Sequence, residues 1–131
     1  MDDLSAEQRR QIAALLVGRR TELQDDIRRE LELSGRDLFR DLASEVADAG
    51  EESIAAMLMD FDIAMVRHQV EELLEVEHAL KRDAASQLNV CEHCGEAIGF
   101  ARLMANPVAS RCVSCQETHE QFYRPDAPHE N

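Results

Sequence analysis

Aromatic side chains are scarce in this chain of 131 residues, which has no tryptophan, one tyrosine and four phenylalanines. A thick globular core is therefore not expected, because aromatic side chains bury the largest areas. The aromatic platform on which single-stranded nucleic acid stacks is also not expected. The length is sufficient for one compact domain or for an elongated one.

Long apolar runs are missing as well. None approaches the roughly 20 residues that cross a bilayer. Residues 1–5 lack the charged and apolar regions of an export signal. We expect a cytoplasmic protein that does not associate with a membrane.

Basic residues are few. The chain has 14 lysines and arginines against 27 aspartates and glutamates, and its formal net charge is −13. Affinity for DNA comes mostly from phosphate neutralisation by basic side chains. We therefore expect no direct sequence-specific DNA binding.

The four cysteines form two C-x-x-C pairs, Cys91 with Cys94 and Cys112 with Cys115. Four thiolates, each about 2.3 Å from the metal, complete a tetrahedral structural zinc site. We predict one structural zinc ion at these residues. A disulfide pair and a redox motif are weaker alternatives, because there is no signal peptide and no βαβ pattern. His93, inside the first pair, is interpreted as a solvated bystander, since such a site closes at four ligands.

No enzyme is predicted. A zinc ion held by four thiolates has no open position for water. No nucleophile and base are marked by their spacing, and no phosphate-binding loop is present. The carboxylates Glu71, Glu72, Glu75 and Glu77 are most simply a solvated helix surface.

Two segments before the cysteines have the apolar periodicity of amphipathic helices. The first predicts a helix over about residues 5–47, with Ser5 as N-cap and Gly35 as a candidate point of interruption. The second predicts a helix over about residues 53–86. The apolar positions are Ile12, Leu16, Leu23, Ile27, Leu31, Leu38, Leu42 and Val46, then Ile54, Leu58, Phe61, Met65, Leu73, Val76 and Leu80.

Two such helices joined by a short turn should form an antiparallel coiled coil, because neither can keep its apolar face in water. The predicted fold is mainly α: a long antiparallel coiled-coil hairpin, a small four-cysteine zinc-finger module and a short C-terminal helix. The expected divisions are an arm over 1–88 with a tip loop at 47–53, the module and helix over 89–123, and a flexible tail over 124–131. An arm of this length would reach about 50 Å.

The predicted tip is acidic, with Asp48, Glu51 and Glu52 crowded beside Ser53. One interpretation is a polar turn that stops the helices, because Asp and Gly favour turns. The other is a probe, in which a rigid arm delivers carboxylates into a cation-rich or metal-containing cavity. The residues themselves leave both interpretations open.

The chain resembles the DksA/TraR family of bacterial transcription factors. The family's pattern of C-x-x-C, I-G-x-x-R-L, A-x-P-x-A and C-x-x-C is matched between Val90 and Gln116. The resemblance implies a factor that binds RNA polymerase and inserts its coiled coil into the secondary channel, the nucleotide entry pore. The matching residues between the two cysteine pairs are Ile98, Gly99, Arg102, Leu103, Ala105, Pro107 and Ala109.

Two departures mark the chain as a DksA-like paralogue. Where DksA members carry D-x-x-D-x-A at the tip, this chain has Asp48, Glu51 and Ser53. Where they supply cations for the alarmone ppGpp, it offers mainly acidic or neutral side chains, so we expect weak dependence on ppGpp. The residues in that region are His68, Glu71, Glu75 and Gln116.

The expected function is regulation of initiation through altered open-complex stability, by a protein that is a monomer. One alternative is a transcript-cleavage accessory factor of the Gre type, whose tip carboxylates would hold a magnesium ion in the polymerase. Another is a zinc-ribbon adaptor whose rod binds a protein other than polymerase.

Overall fold

A computed structural model describes residues 3–48 and 54–123. The predicted fold class is confirmed, since the chain is mainly α with helices before a four-cysteine module and a short helix after it. No described helix is long and apolar enough to cross a membrane. The helices are α1 (Ala6–Leu33), α2 (Asp37–Asp48), α3 (Ala55–Phe61), a 3₁₀ turn (Ala64–Val66), α4 (Arg67–Ala84), α5 (Phe100–Ala105) and α6 (Val113–Tyr123).

Helix α1 begins as its sequence predicts. The Ser5 hydroxyl accepts a hydrogen bond from the Gln8 main-chain N–H, and the Gln8 side chain accepts one from the Ser5 N–H, both at 3.0 Å. This reciprocal pair satisfies two donors that the first turn would otherwise leave free.

Helices α1 and α4 lie antiparallel. Near the module, Arg9 Nε donates to Asp83 Oδ1 at 3.0 Å. Further along, the Arg19 guanidinium makes two hydrogen bonds, of 2.6 and 2.8 Å, to the Glu72 carboxylate. The start of α1 thus meets the end of α4, and the other end of the pair lies away from the cysteines.

The predicted helix over 5–47 is interrupted at Ser34 and Gly35, and α2 packs back against α1. Gly35 has a φ of 74°, the left-handed conformation that commonly follows a helix. The Ser34 N–H still bonds to the Glu30 carbonyl at 3.2 Å. The apolar periodicity predicted that this segment has a buried face. It did not predict that α2 buries that face against α1.

The second predicted helix, over 53–86, is interrupted at Asp62, whose φ is 47°. Helix α3 packs back against α4, and the Ile54 main-chain N–H donates to Glu77 Oε2 at 3.3 Å. Glu77 was expected on a solvated surface, but it is buried. Its carboxylate satisfies a main-chain donor just before α3, a role that its position in the periodic pattern does not reveal.

The four helices therefore form an up-down-up-down bundle in which α2 packs on α1, α1 on α4 and α4 on α3. Both turns lie at the end far from the cysteines, since Arg36 and Phe39 line one groove together with residues 61–65. This corrects the expected continuous arm, because the two halves of each predicted helix lie side by side. The helical core consists of Ile12, Leu16, Leu23, Ile27, Leu31, Leu42, Ala43, Val46, Ile54, Ala55, Leu58, Ile63, Val66, Val70, Leu73, Val76 and Ala79.

Candidate metal centre

The predicted zinc ligands come together. The sulfur atoms of Cys91, Cys94, Cys112 and Cys115 all lie within 4.8 Å of one another. Cys94 Sγ and Cys112 Sγ are 3.7 Å apart. A zinc–sulfur bond of about 2.3 Å implies a tetrahedron edge of about 3.8 Å, so this spacing fits zinc.

The first cysteine pair lies on a tight turn after α4. The Cys91 N–H donates to the Glu96 carbonyl at 2.8 Å, and the Gly95 N–H donates to the Cys91 carbonyl at 3.0 Å. Gly95 has a φ of 81°, which a residue with a Cβ rarely adopts. This glycine lets the chain reverse directly after Cys94, so both sulfurs point to one side.

The second cysteine pair lies at the start of α6. Cys112 precedes the helix and Cys115 lies in its first turn, where the Gln116 N–H bonds to the Cys112 carbonyl at 2.9 Å. The Glu92 N–H donates to the Ser110 carbonyl at 2.8 Å and so joins the segments that carry the two pairs.

The residues between the two pairs have structural roles. Ile98, Leu103 and Ala109 are buried and form the small core of the module. Arg102 Nε donates to the Arg111 carbonyl at 2.9 Å, immediately before Cys112. The segment that carries the family resemblance therefore positions the second pair against the first.

The cysteine thiols differ in acidity because burial, main-chain N–H groups and neighbouring sulfurs act on them unequally. Burial opposes ionisation of Cys91, but the main-chain N–H groups of Cys112, Cys94 and His93 outweigh it and lower its pKa to about 6. Desolvation and the neighbouring sulfurs raise the pKa of Cys115 to about 12. Four adjacent thiols do not all ionise without a cation among them. This donor set fits a divalent metal, and His93 is exposed outside it.

Arg82 is an important residue that the sequence did not single out. It lies in the last turn of α4 and is only 7% exposed. Its guanidinium donates to the carbonyls of Val90 at 2.6 Å, Gln87 at 3.1 Å and Ala109 at 3.1 Å. Desolvation lowers the pKa of Arg82, and the charge of Glu92 opposes that shift. From the sequence alone, an arginine in the last turn of a helix is expected to be an exposed cation. Only the tertiary structure shows that Arg82 is buried against main-chain carbonyls.

His78 and Glu92 form a second link between α4 and the module. His78 Nε2 lies 2.5 Å from Glu92 Oε1. Desolvation favours the neutral Glu92 carboxyl, but hydrogen bonding and charge from His78 outweigh it and lower the pKa of Glu92. Together with Arg82, this pair fixes the module on the end of the bundle.

Of the three predicted tip residues, the structure describes one. Asp48 ends α2 and is exposed, whereas Glu51 and Ser53 lie outside the described residues, as does the tail over 124–131. Of the positions considered for ppGpp, His68, Glu71 and Glu75 are exposed on α4. Gln116 is half-buried on α6 and donates to Glu120 at 3.0 Å.

Comparisons with known proteins agree with this site. The family model of the prokaryotic dksA/traR C4-type zinc finger matches residues 86–121. The RNA polymerase-binding transcription factor DksA of Caulobacter vibrioides is 43% identical over 50 residues, which cover 38% of this chain and 35% of that protein. The match to this curated DksA thus spans about a third of its length.

Two further relatives extend the likeness. An uncharacterized 8.2 kDa protein of Escherichia phage P2 is 38% identical over 64 residues, 47% of this chain and 86% of that protein. The solved structure of transcription factor DksA2 from Pseudomonas aeruginosa matches with a TM-score of 0.61 and 26% identity, over 92% of this chain and 88% of that chain. The matched zinc finger and the sulfur cluster together identify the cofactor as one zinc ion.

Proposed function

Because the chain belongs to the DksA/TraR family of zinc-finger proteins, we propose that it is a transcription regulator that binds RNA polymerase directly. The observation that carries this proposal is the combination of a four-cysteine zinc site with a helical hairpin that leads into it. The relative from Caulobacter vibrioides is named for binding RNA polymerase. The net charge of −13 further favours a protein partner over DNA.

We further propose that the helical arm enters the secondary channel of the polymerase. Asp48, Glu51 and Ser53 would then face the active centre and alter open-complex stability. Residues 1–88 would act as the arm, and residues 89–123 would dock outside the channel. The exposed carboxylate of Asp48 supports this role, because a carboxylate near catalytic metal and lysine charges interacts strongly where water is partly excluded.

The zinc ion supports structure in this proposal and takes no part in a reaction. Four thiolate ligands leave no position for substrate, and the ion holds the two cysteine pairs together. Arg82 joins the end of α4 to the module through hydrogen bonds to four main-chain carbonyls, those of Gln87, Leu88, Val90 and Ala109. The zinc module therefore fixes the direction in which the helical arm leaves it.

Two measurements test the proposed function. A pull-down with purified core RNA polymerase should retain the protein, and an adaptor for another protein would not be retained. In vitro transcription on a ribosomal RNA promoter should then show a change in open-complex lifetime. Cleavage of RNA in backtracked complexes, without an effect on initiation, would instead identify a Gre-type accessory factor.

A further inference from the structure

We propose that a groove between α1, α4 and the zinc module is a docking surface for a basic amphipathic helix of a protein partner. The groove has a volume of about 510 Å³, and none of its described lining residues belongs to α2, the helix that ends at Asp48. It is therefore distinct from the acidic segment on which the proposed function relies. Its apolar surface is formed by Leu15, Leu16, Val76, Met104, Pro107 and Val108.

The floor of the groove is apolar and its edges are open to solvent. Leu16 and Val76 are each 1% exposed and close the bottom between α1 and α4. Leu15 and Met104 also line the groove but remain 42% and 39% exposed. Helix α5 packs against α1, so the module adds a third wall to the furrow between the two long helices. A concave, mostly apolar surface with a few polar groups is typical of a binding site.

Gly18 contributes to the depth of the groove. It lies inside the 28-residue helix α1, where glycine is less favourable than alanine. The fold does not require a glycine there, because a Cβ built on Gly18 meets nothing within 4 Å and the backbone is helical. Since Gly18 lines the groove, a larger side chain at this position would fill part of it. The missing side chain leaves room for an occupant.

The rim of the groove is acidic. The Arg19 guanidinium makes hydrogen bonds of 2.6 and 2.8 Å to Glu72 and one of 3.1 Å to Glu22, so a single cation lies between two carboxylates. Glu75 is exposed on α4, next to Glu72 on the same face of the helix, and adds a third negative charge. With a net charge of −13 for the whole chain, this rim attracts a basic partner and repels an acidic one.

The shape of the groove favours a helix as its occupant. On α1 the lining positions run from Ala14 to Glu22, a distance of about 12 Å along the helix axis. This length matches about two turns of a partner helix, which would present apolar residues at positions i, i+3, i+4 and i+7. Residues 3–48 and 54–123 contain no strand, so an extended peptide has no sheet edge to join there.

The two properties of the groove fit one occupant. Apolar side chains of the partner helix would cover Leu16 and Val76, and lysine or arginine beside them would lie against Glu22 and Glu75. The Glu22 carboxylate has room for another donor, because an ionised carboxylate offers about four acceptor positions and Arg19 approaches only one of its oxygens.

Binding of a synthetic helix to the zinc-loaded 131-residue protein tests the groove. The probe is a peptide of about 18 residues with leucine on one helical face and lysine beside it. A scrambled peptide keeps the charge but has no apolar face, and a peptide with glutamate for lysine keeps the face but reverses the charge. Fluorescence anisotropy should show the probe binding about tenfold or more tightly than either control. Equal binding of the scrambled peptide would reduce the attraction to net charge and overturn the proposal.

A filled groove should no longer bind the probe. Gly18→Leu fits the fold, because leucine favours helix more than glycine does and its Cβ meets no neighbour. Affinity for the probe should fall about tenfold or more, with circular dichroism and zinc content unchanged. Ser44→Leu, at an exposed position of α2, is the matched control and should change affinity by less than about twofold. A folded Gly18→Leu protein that binds the probe like the wild type contradicts the proposed site.

Charge removal should act locally. Glu22→Gln with Glu72→Gln takes two negative charges from the rim and should weaken binding about fivefold or more. Asp41→Asn with Glu45→Gln removes the same charge from exposed positions on α2 and should weaken it less than about twofold in about 0.15 M salt, where distant charges are screened. Equal losses from the two pairs would assign the attraction to net charge and overturn a local site.

A second copy of the chain is the competing occupant. Sedimentation should find a monomer at the concentrations used for binding. Self-association that Gly18→Leu abolishes would show that the groove receives another copy, and the proposal would then be wrong. None of these measurements uses polymerase, so failure of the proposed function is distinguished from failure of this inference. Probe binding by a protein that polymerase does not retain contradicts the proposed function alone.

Discussion

Arg82 donates a 2.6 Å hydrogen bond to the main-chain carbonyl of Val90, the residue that precedes the first zinc ligand, Cys91. The same guanidinium reaches the Ala109 carbonyl, three residues before Cys112. One side chain on α4 thus contacts the segments that carry both cysteine pairs. Because of these contacts, we expect helix packing and zinc binding to depend on each other.

Removing the Arg82 side chain should weaken both properties. Arg82→Ala leaves several main-chain acceptors without their donor in a buried position, which should lower the free energy of unfolding by about 3 kcal/mol. Arg82→Lys keeps the charge but loses the planar fork, so it should recover only part of the loss. Chemical denaturation of the zinc-loaded protein measures this. Lys81→Ala, on the exposed neighbour in the same turn, should change stability by less than about 0.5 kcal/mol.

Loss of one zinc ligand should loosen the module more than the bundle. Metal analysis should find about one zinc ion per chain, and Cys112→Ser should reduce that content because metal binding and folding of such a site are coupled. Hydrogen exchange should accelerate over residues 88–120 by a larger factor than over α1. Metal-free protein with unchanged exchange over residues 88–120 would contradict a structural role for zinc.

Zinc affinity should fall as pH falls. The raised pKa values of Cys94 and Cys115, the latter about 12, keep both thiols protonated in metal-free protein at neutral pH. Zinc must therefore displace at least these two protons, and each displaced proton changes affinity about tenfold per pH unit. Between pH 8 and pH 6 the affinity should drop by about 10⁴-fold or more, as measured by competition with a chelator. A drop below tenfold would mean that the thiols are already ionised without metal.

The zinc ligands could be predicted from the sequence almost completely, because they lie in two short segments with a recognisable spacing. Each C-x-x-C segment places two sulfur atoms close together, so the fold only has to bring the two segments side by side. Gly95, directly after Cys94, permits the chain to reverse there. The supporting contacts were not predictable in the same way. Arg82 and Glu77 look like surface charges in their helices, and only the packing of distant segments shows them to be buried.

The helices themselves were predictable, but their arrangement was not. Apolar periodicity marks one buried face per segment, and Leu42 and Val46 are indeed buried. The apolar face of α2 could be buried against the other strand of a longer hairpin, or against α1, which is the first half of the same predicted helix. The structure has the second arrangement. The left-handed turns at Gly35 and Asp62 decide between these arrangements, and a glycine inside a periodic pattern only raises the possibility of such a turn.

Dependence on ppGpp should be weak. Phosphate recognition relies on arginine and lysine, whereas the region in which DksA members supply cations has Glu71 and Glu75 exposed on α4 beside His68. Transcription assays with the protein present should show little synergy beyond the polymerase's own response to ppGpp. A large synergy that disappears on substitution of His68 or Arg67 would reveal a basic site that this charge pattern does not predict.

Affinity for polymerase and the effect on transcription should reside in different parts of the chain. In the proposed complex the arm and the zinc module would offer most of the contact area, while Asp48 and Glu51 would contribute mainly two negative charges. Near the active centre of the polymerase those charges would interact strongly, because water is partly excluded and cations are close. Asp48→Asn with Glu51→Gln should therefore keep most of the affinity for core polymerase and lose most of the effect on open-complex lifetime.

Competition binding paired with promoter-complex decay measures both quantities. Ser53→Ala, which restores the residue found in DksA members, should leave the effect unchanged or strengthen it. A double variant that binds as weakly as a protein without its arm would show that the acidic segment anchors the complex. A double variant that binds and acts like the wild type would show that the two acids only form a polar turn. Retained binding with a lost effect is the single result that assigns the two carboxylates to the polymerase's active centre, because uncharged side chains of the same size preserve the packing and remove only the charge.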